Sequence, residues 1–344
     1  MSDRLRDEAV PAVLPAPSLA GGPPPGRPAP PRRTGRRSAR AREESRAGLT
    51  LITPTLLIVV VVVVLPILWT VSMAFQDVRL LNLRTTGVVG DYSLDNFIGV
   101  FGSPGFFEAL LTTFLYATVG TGSAIALGLV ATLALRRPFR GRGLVRAALL
   151  LPYVAPVVAA TFVWSTMLSP QFGLVNHWGT TLLGWEEPVA FLSSRSDVVP
   201  VLGITVPTAL LTVIAFEAWR SFPFAFLFLT ARLQAVPGSL EEAARVDGAT
   251  PTQRFRYILL PQLLPTIAVL SVLRFIWTFN SFDDIYLLTG GGAGTQVVAV
   301  RVFDFLTARG DIGAAAAQAL VLAVILAALI TVYLRLFGRR EEKA

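Results

Sequence analysis

The chain has 344 residues, 53% of them hydrophobic and 15% charged, with a formal net charge of +8 and a mean hydropathy of +0.62. Soluble domains average about 45–50% apolar and about 25% charged residues, so this balance excludes an ordinary soluble domain and points to an integral membrane protein. Cysteine is absent, His177 is the single histidine and Lys343 the single lysine. Thiol chemistry, disulfides, a multi-histidine metal site and a phosphate-binding loop ending in GK[ST] are thereby excluded. No catalytic residue, metal or cofactor is expected, and any energy from ATP has to come from another polypeptide.

Residues 1–47 hold nine of the 24 prolines and ten arginines without apolar periodicity. Such a stretch cannot bury enough surface to fold and reads as a disordered cytoplasmic tail. Six apolar segments follow, at 49–75, 109–135, 147–168, 200–230, 258–289 and 312–334. Each is near or above the roughly 20 residues that cross a hydrocarbon core. The expected fold is an all-α integral membrane protein with six transmembrane helices within residues 48–338 and a short cytoplasmic tail at 339–344. The stretches 32–46, 136–146, 232–256 and 335–343 hold 20 Arg or Lys, against five in 76–108, 169–200 and 283–311. Cytoplasmic flanks retain positive charge during insertion, so both termini are expected inside. The arginine-rich 136–146 loop is read as a topology anchor rather than a nucleic-acid contact. RRTGRRSAR at 33–41 precedes a span too long for a twin-arginine export signal and lacks a cleavage site.

In the second span Gly120, Ala124 and Gly128 recur every four residues and put small side chains on one helix face, for close packing or for lining a path. The fourth span carries Glu217 and Arg220, spaced to neutralise each other at i, i+3 or to meet a ligand. Between spans four and five the chain turns polar. Ser239 and Glu242 form an S-x-x-E capping box, Gly248 supplies a left-handed helix stop, and Thr250-Pro251-x-Gln253 starts a second helix. A short helix, a tight turn and another helix make a rigid knob with a bare alanine face. That knob suits docking into a partner better than lying on lipid, because two acids and two alanines give a poor hydrophobic face. In the fifth span Arg274 lacks a local partner and has to face protein or water. Further on, Phe279, Asn280, Phe282, Asp283 and Asp284 offer the amide, carboxylate and aromatic groups that sugars use, or else serve interhelical bonding. TGGGAGT at 289–295 lacks a preceding strand and reads as an external turn.

Glu242-Ala243-Ala244, Asp247-Gly248-Ala249 and Ile258-Leu259-Leu260-Pro261 resemble the EAA loop of ATP-binding-cassette importer permeases. LQAVPGSLEEAA (233–244), LLPYVAP (150–156), QFGLVN (171–176) and FIWTFNSFDDIYLLTGGG (275–292) are similar to the carbohydrate branch of that family. The likeness covers roughly residues 50–338, and it departs at Ala293, where the family often has proline. The resemblance implies that the loop is a cytoplasmic coupling helix, with Glu242, Ala243, Ala244, Asp247 and Gly248 contacting a separate ATPase dimer. It further implies a second permease subunit, an extracytoplasmic sugar-binding protein, and a bacterial cell-membrane location. The implied substrate is a mono-, di- or oligosaccharide, and the resemblance runs the substrate path by Phe279 and Asn280; Asp283, Glu217 and Arg220 are further path candidates from their polar chemistry. Membrane lipid is a further partner, with the basic stretch 32–46 suited to lie against anionic headgroups. An importer of a polyol or glycerol phosphate is the nearest alternative. An ion-coupled carrier would need an internal repeat, which the chain lacks, and would leave the loop without a purpose.

Overall fold

A computed structural model describes residues 50–84, 90–198 and 205–337. The tails expected at 1–47 and 339–344 lie outside these residues. The chain divides into two compact units, Met1–Val60 and Val61–Ala344. The described part of the first is helical, Thr50 onward.

Among the described residues five helices are long and apolar enough to cross a membrane: α1 Thr50–Ala74, α3 Phe106–Ala134, α7 Thr208–Gln234, α9 Pro251–Phe279 and α12 Ile312–Phe337. Between α1 and α3 lies the short α2, Asp95–Gly102. The sixth expected span is present as a bent pair. Helices α4 (Arg142–Val154) and α5 (Val157–Met167) meet at 97°. Pro156 accounts for the break: it holds the preceding Ala155 in extended backbone (ψ 137°) and then opens α5. The fifth span is also interrupted. Helix α9 stops at Phe279, and α10 begins at Asp283 and ends at Thr289, so the expected 258–289 segment is two helices. Helices α6 (Leu174–Leu182), α8 (Gly238–Val246) and α11 (Val298–Thr307) and a two-residue antiparallel pair, β1 Asp197–Val198 with β2 Thr205–Val206, complete the described elements.

Two turns of π-helix, Val60–Val64 in α1 and Phe255–Leu259 in α9, each precede a proline, Pro66 and Pro261. A proline supplies no N–H to the carbonyl four residues back, and its ring crowds that carbonyl, so the ladder widens locally. In α9 the Leu260 N–H reaches the Phe255 carbonyl instead.

The core is built around α3 and α7, the most extensively packed pair. Gly120, Ala124 and Gly128 lie on the buried face of α3. A Cβ at Gly128 would stand 2.7 Å from the Ala225 Cβ and 2.8 Å from the Phe226 nitrogen, so glycine is what lets the two backbones meet. Thr132, one turn on, donates to the Gly128 carbonyl at 2.8 Å. Helix α9 packs on α3, α4 on α7, α5 on α10, and α11 with the Leu65–Ala74 part of α1 on α12.

The motifs outside the spans have plain structural duties. Asn176 of QFGLVN ties its hairpin together. Its Nδ2 donates to the carbonyls of Leu168, Ser169 and Val189 at 3.2, 3.2 and 3.0 Å, and its Oδ1 accepts from the Val189 N–H at 2.7 Å. In the glycine run Gly290, Gly291 and Gly294 have φ of 62°, 79° and 76°, and Ala293 has φ 51°. A proline cannot adopt that angle, so the turn at Ala293 takes a course of its own.

Candidate functional site

The loop between α7 and α9 forms the expected helix, turn and helix. Its first helix, α8, runs Gly238–Val246. Gly248 closes it at φ 78°, with the Gly248 N–H on the Arg245 carbonyl at 3.1 Å and the Ala249 N–H on the Ala244 carbonyl at 2.8 Å. Thr250 and Gln253 make a reciprocal box: Thr250 N–H donates to Gln253 Oε1 at 2.7 Å, and Gln253 N–H to Thr250 Oγ1 at 3.3 Å. The box expected at Ser239 does not form. Pro237 is the N-cap, so the helix starts two residues early and Ser239 lies inside its first turn.

Of the expected docking residues, Glu242, Ala243, Asp247 and Gly248 are exposed and Ala244 is half-buried. Sequence reasoning missed the residues that hold this face. Glu241 is 5% exposed and paired with Arg136 from beyond α3. Arg232, in the last turn of α7, donates from Nε to the Gln262 carbonyl at 3.0 Å and from Nη2 to Gln262 Oε1 at 3.2 Å. Arg136 thus holds α8, while the Arg232–Gln262 bonds tie α7 to α9 on either side of the loop; the knob also presents Leu240 and Val246, the latter 88% exposed. Burial, followed by the neighbouring Arg245, Arg254 and Arg137, lowers the Arg136 pKa from its ordinary value.

Within the membrane the polar residues join differently from their spacing. Glu217 does not pair with Arg220. Its Oε1 accepts from Arg274, from Ser221 at 3.0 Å and from Thr278 at 3.0 Å, and Arg274 also reaches Ser221. Arg220 turns to Asp284, Nη2 lying 3.1 Å from Oδ1 and 3.2 Å from Oδ2, and Tyr116 donates to the same carboxylate at 3.4 Å. Two crossed ion pairs therefore bind α7 to α9 and α7 to α10, across the gap where the fifth span breaks. Gly120 makes room for this: a Cβ there would stand 3.3 Å from Glu217 Cγ and 3.6 Å from Thr278 Cγ2. Four of the members, Glu217, Ser221, Arg274 and Thr278, are buried, as is Asp284. Buried charges with matched partners of this kind cost little, whereas a single one left alone costs several kcal/mol.

At the same level Phe279 is 1% exposed and packs 5.5 Å from Phe275, while Asn280 and Asp283 are exposed. The Asn280 amide donates to the Ile276 carbonyl at 2.8 Å. Sequence reasoning overlooked an aromatic stripe that includes Trp277, three residues before Asn280. Phe224 has its ring centroid 5.8 Å from Tyr153, 4.7 Å from Phe228 and 5.4 Å from Trp277. Tyr153, Phe228 and Trp277 are each nearly half exposed. Phe224 and Phe228 continue the Glu217–Arg220 face of α7 at helical spacing, which is the signal that could have found them; Trp277 and Tyr153 come from other helices. Half-exposed rings and the exposed Asn280 amide are the kinds of group that suit a ligand with CH faces and hydroxyl edges.

The family model for the binding-protein-dependent transport system inner membrane component matches residues 124–343. The Escherichia coli inner membrane ABC transporter permease protein YcjO is 33% identical over 285 residues, 82% of this chain and 91% of its own. The Thermococcus litoralis trehalose/maltose transport system permease protein MalF is 32% identical over 302 residues, 87% and 96% of the two chains. Among solved structures, a bacterial ABC transporter involved in the import of the acidic polysaccharide alginate superposes with a TM-score of 0.74 at 21% identity, covering 87% of this chain and 98% of that one, which establishes the shared fold. With its broken spans and its clamped loop, the chain belongs to the binding-protein-dependent transport system inner membrane component family, a multi-pass inner-membrane permease.

Proposed function

We propose that this chain is one of two permease subunits of an ATP-driven importer that carries an uncharged sugar into a bacterial cell. Both termini are inside, and the α8 knob docks through Glu242, Ala243, Ala244, Asp247 and Gly248 into a separate ATPase dimer. An extracytoplasmic binding protein delivers the sugar to the opposite face. The observation that carries the reading is the knob itself: an exposed helix held by Arg136 and set between α7 and α9, which Arg232 ties together. This chain then performs no covalent step. Closure of the ATPases moves the knob, the helices it is tied to tilt, and access to the path changes sides.

For the path, Asn280 offers its carbonyl oxygen, Asp283 an exposed carboxylate, and Trp277, Phe224 and Tyr153 flat surfaces. Phe279 supports α9 from behind, while Glu217 and Arg220 fix the helices whose edges the sugar passes. Pairing also bears on substrate charge: Arg274 is neutralised by Glu217 and Arg220 by Asp284. Little cationic character is left for a glycerol phosphate, which favours a neutral sugar; the trehalose/maltose system of the MalF relative provides the first compounds to try.

The test is uptake into proteoliposomes holding this chain with its copurified subunits and binding protein. Labelled trehalose and maltose are offered with ATP inside, or with a proton or sodium gradient instead. ATP-dependent uptake of either sugar supports the proposal, and uptake driven by a gradient without ATP would replace it with an ion-coupled carrier.

A further inference from the structure

At the arginine-rich end of the bundle a cavity of about 380 Å³ opens between the last turn of α3, helix α8 and the start of α9. Arg136, Arg137, Arg245 and Arg254 form its polar side, and Leu133, Phe255 and Leu259 its apolar one. Glu241 is the one carboxylate lining it among the described residues, and Arg136 already holds that group. Arg137, Arg245 and Arg254 make no ion pair among the described residues, and the buried Nε of Arg254 has no hydrogen-bond partner. Like charges gathered around one cavity repel, as the downward pull of Arg245, Arg254 and Arg137 on Arg136 registers. The arrangement is stable at least cost when an anion sits among them.

Guanidinium forks match the oxygens of a phosphate, and they come here from three separate elements, converging on one volume. The apolar side narrows the choice. Leu133 belongs to the α3 span and Leu259, 3% exposed, to the α9 span, whereas Arg136 and Arg137 lie just beyond α3. The cavity therefore straddles the end of the apolar layer, with hydrocarbon-compatible surface below and cations above. A free hydrated anion gains nothing from the lower half.

We propose that this cavity binds the phosphate headgroup of an anionic phospholipid, its first acyl carbons resting on Leu133, Phe255 and Leu259. The site is assigned from the cavity alone and does not depend on which leaflet that end faces. A phosphate held between Arg245 of α8 and Arg254 of α9 also braces the turn at Gly248 from outside.

The experiment is native mass spectrometry of the detergent-extracted chain with whatever subunits it retains. It is titrated with phosphatidylglycerol, with phosphatidylcholine, and with phosphatidylglycerol in the presence of sodium phosphate. One tightly retained phosphatidylglycerol is expected, with phosphatidylcholine retained weakly and millimolar-scale phosphate failing to displace the lipid. Each arginine near a lipid surface contributes about 1 kcal/mol, a factor of about five in affinity, so the Arg137→Gln/Arg254→Gln variant should bind roughly 25-fold more weakly. Arg335→Gln, at the exposed end of α12, should bind like the parent. Ala134→Trp keeps every charge and fills the cavity from the α3 side, and it should also lose the lipid, which separates site loss from misfolding of the double variant. Equal phosphatidylglycerol affinity in both cavity variants, or equal retention of phosphatidylcholine by the parent, would overturn the proposal. Displacement by free phosphate at lipid-equivalent concentration would overturn the lipid source and leave a small-anion site.

Discussion

The loop end of the molecule and the polar lattice inside the membrane are both built from charged residues, yet they are specified in opposite ways. In the loop nearly everything that fixes the shape lies within a few residues of its effect: Gly248 stops α8, and Thr250, Pro251 and Gln253 start α9. Inside the membrane the two ion pairs form at a distance, Glu217 with Arg274 57 positions on and Arg220 with Asp284 64 positions on. The loop can therefore act as a unit that a partner pushes. The lattice determines which helices move together when it does. Rigidity at the knob and crossed pairing at the break make one lever with two fixed points.

Breaking the lattice should have the largest effect. Arg274→Met leaves Glu217 buried and unpaired, a loss of about 3–5 kcal/mol in a site of this kind. The expected outcome is a sharp drop in the amount of folded protein recovered from membranes, measured by fluorescence-detected size exclusion. Arg274→Met with Glu217→Met should recover much of it, because two apolar groups replace the pair. If the single variant is as abundant as the parent, the pair does not hold α9 to α7.

Gly248→Pro comes next. Proline cannot take φ 78°, so the turn between α8 and α9 should distort and ATP-driven uptake should fall at least about tenfold, with the spans still assembled. Unaltered uptake would show that the knob's orientation is immaterial.

Asn280→Leu removes an exposed amide and leaves the lattice intact. One neutral hydrogen bond is worth about 0.5–1.5 kcal/mol, so the concentration of sugar giving half-maximal uptake should rise by up to about tenfold while the ATPase stays attached. An unchanged uptake curve would take Asn280 out of the path and leave the aromatic stripe at Trp277 to define it. Smallest of all, Thr250→Ala removes one half of a cap, at about 1 kcal/mol. It should lower the melting temperature slightly and leave transport near the parental rate.

The same contrast explains how far the sequence could be read. Cap residues, glycines in left-handed turns and small-residue spacing act locally, so the turn at Gly248, the box at Thr250 and the Gly120–Gly128 face of α3 are where the sequence places them. Ser239 misled because Pro237 caps the helix two residues sooner, a competition between two nearby caps. Glu217 and Arg220 misled because i, i+3 spacing permits a pair without requiring one. Arg274 and Asp284 are better partners, and they become visible only once α7, α9 and α10 are packed. Hydropathy found the third and fifth spans but not their breaks, since Pro156 and the residues around Asn280 barely alter an average over 20 residues. Phe224 and Phe228 were legible as a stripe at helical spacing. Trp277 and Tyr153 joined them only through the fold.

The most direct test of the central claim, that the α8 knob is the dock for a separate ATPase, is ATP hydrolysis by the complex that copurifies with this chain from its native membrane. Glu242 is exposed and carries no contact that the fold needs, so Glu242→Arg should leave the permease folded in the membrane while the associated ATP hydrolysis falls to background. Hydrolysis retained at the parental level in that variant, with the ATPase still bound, would contradict the account and move the contact elsewhere.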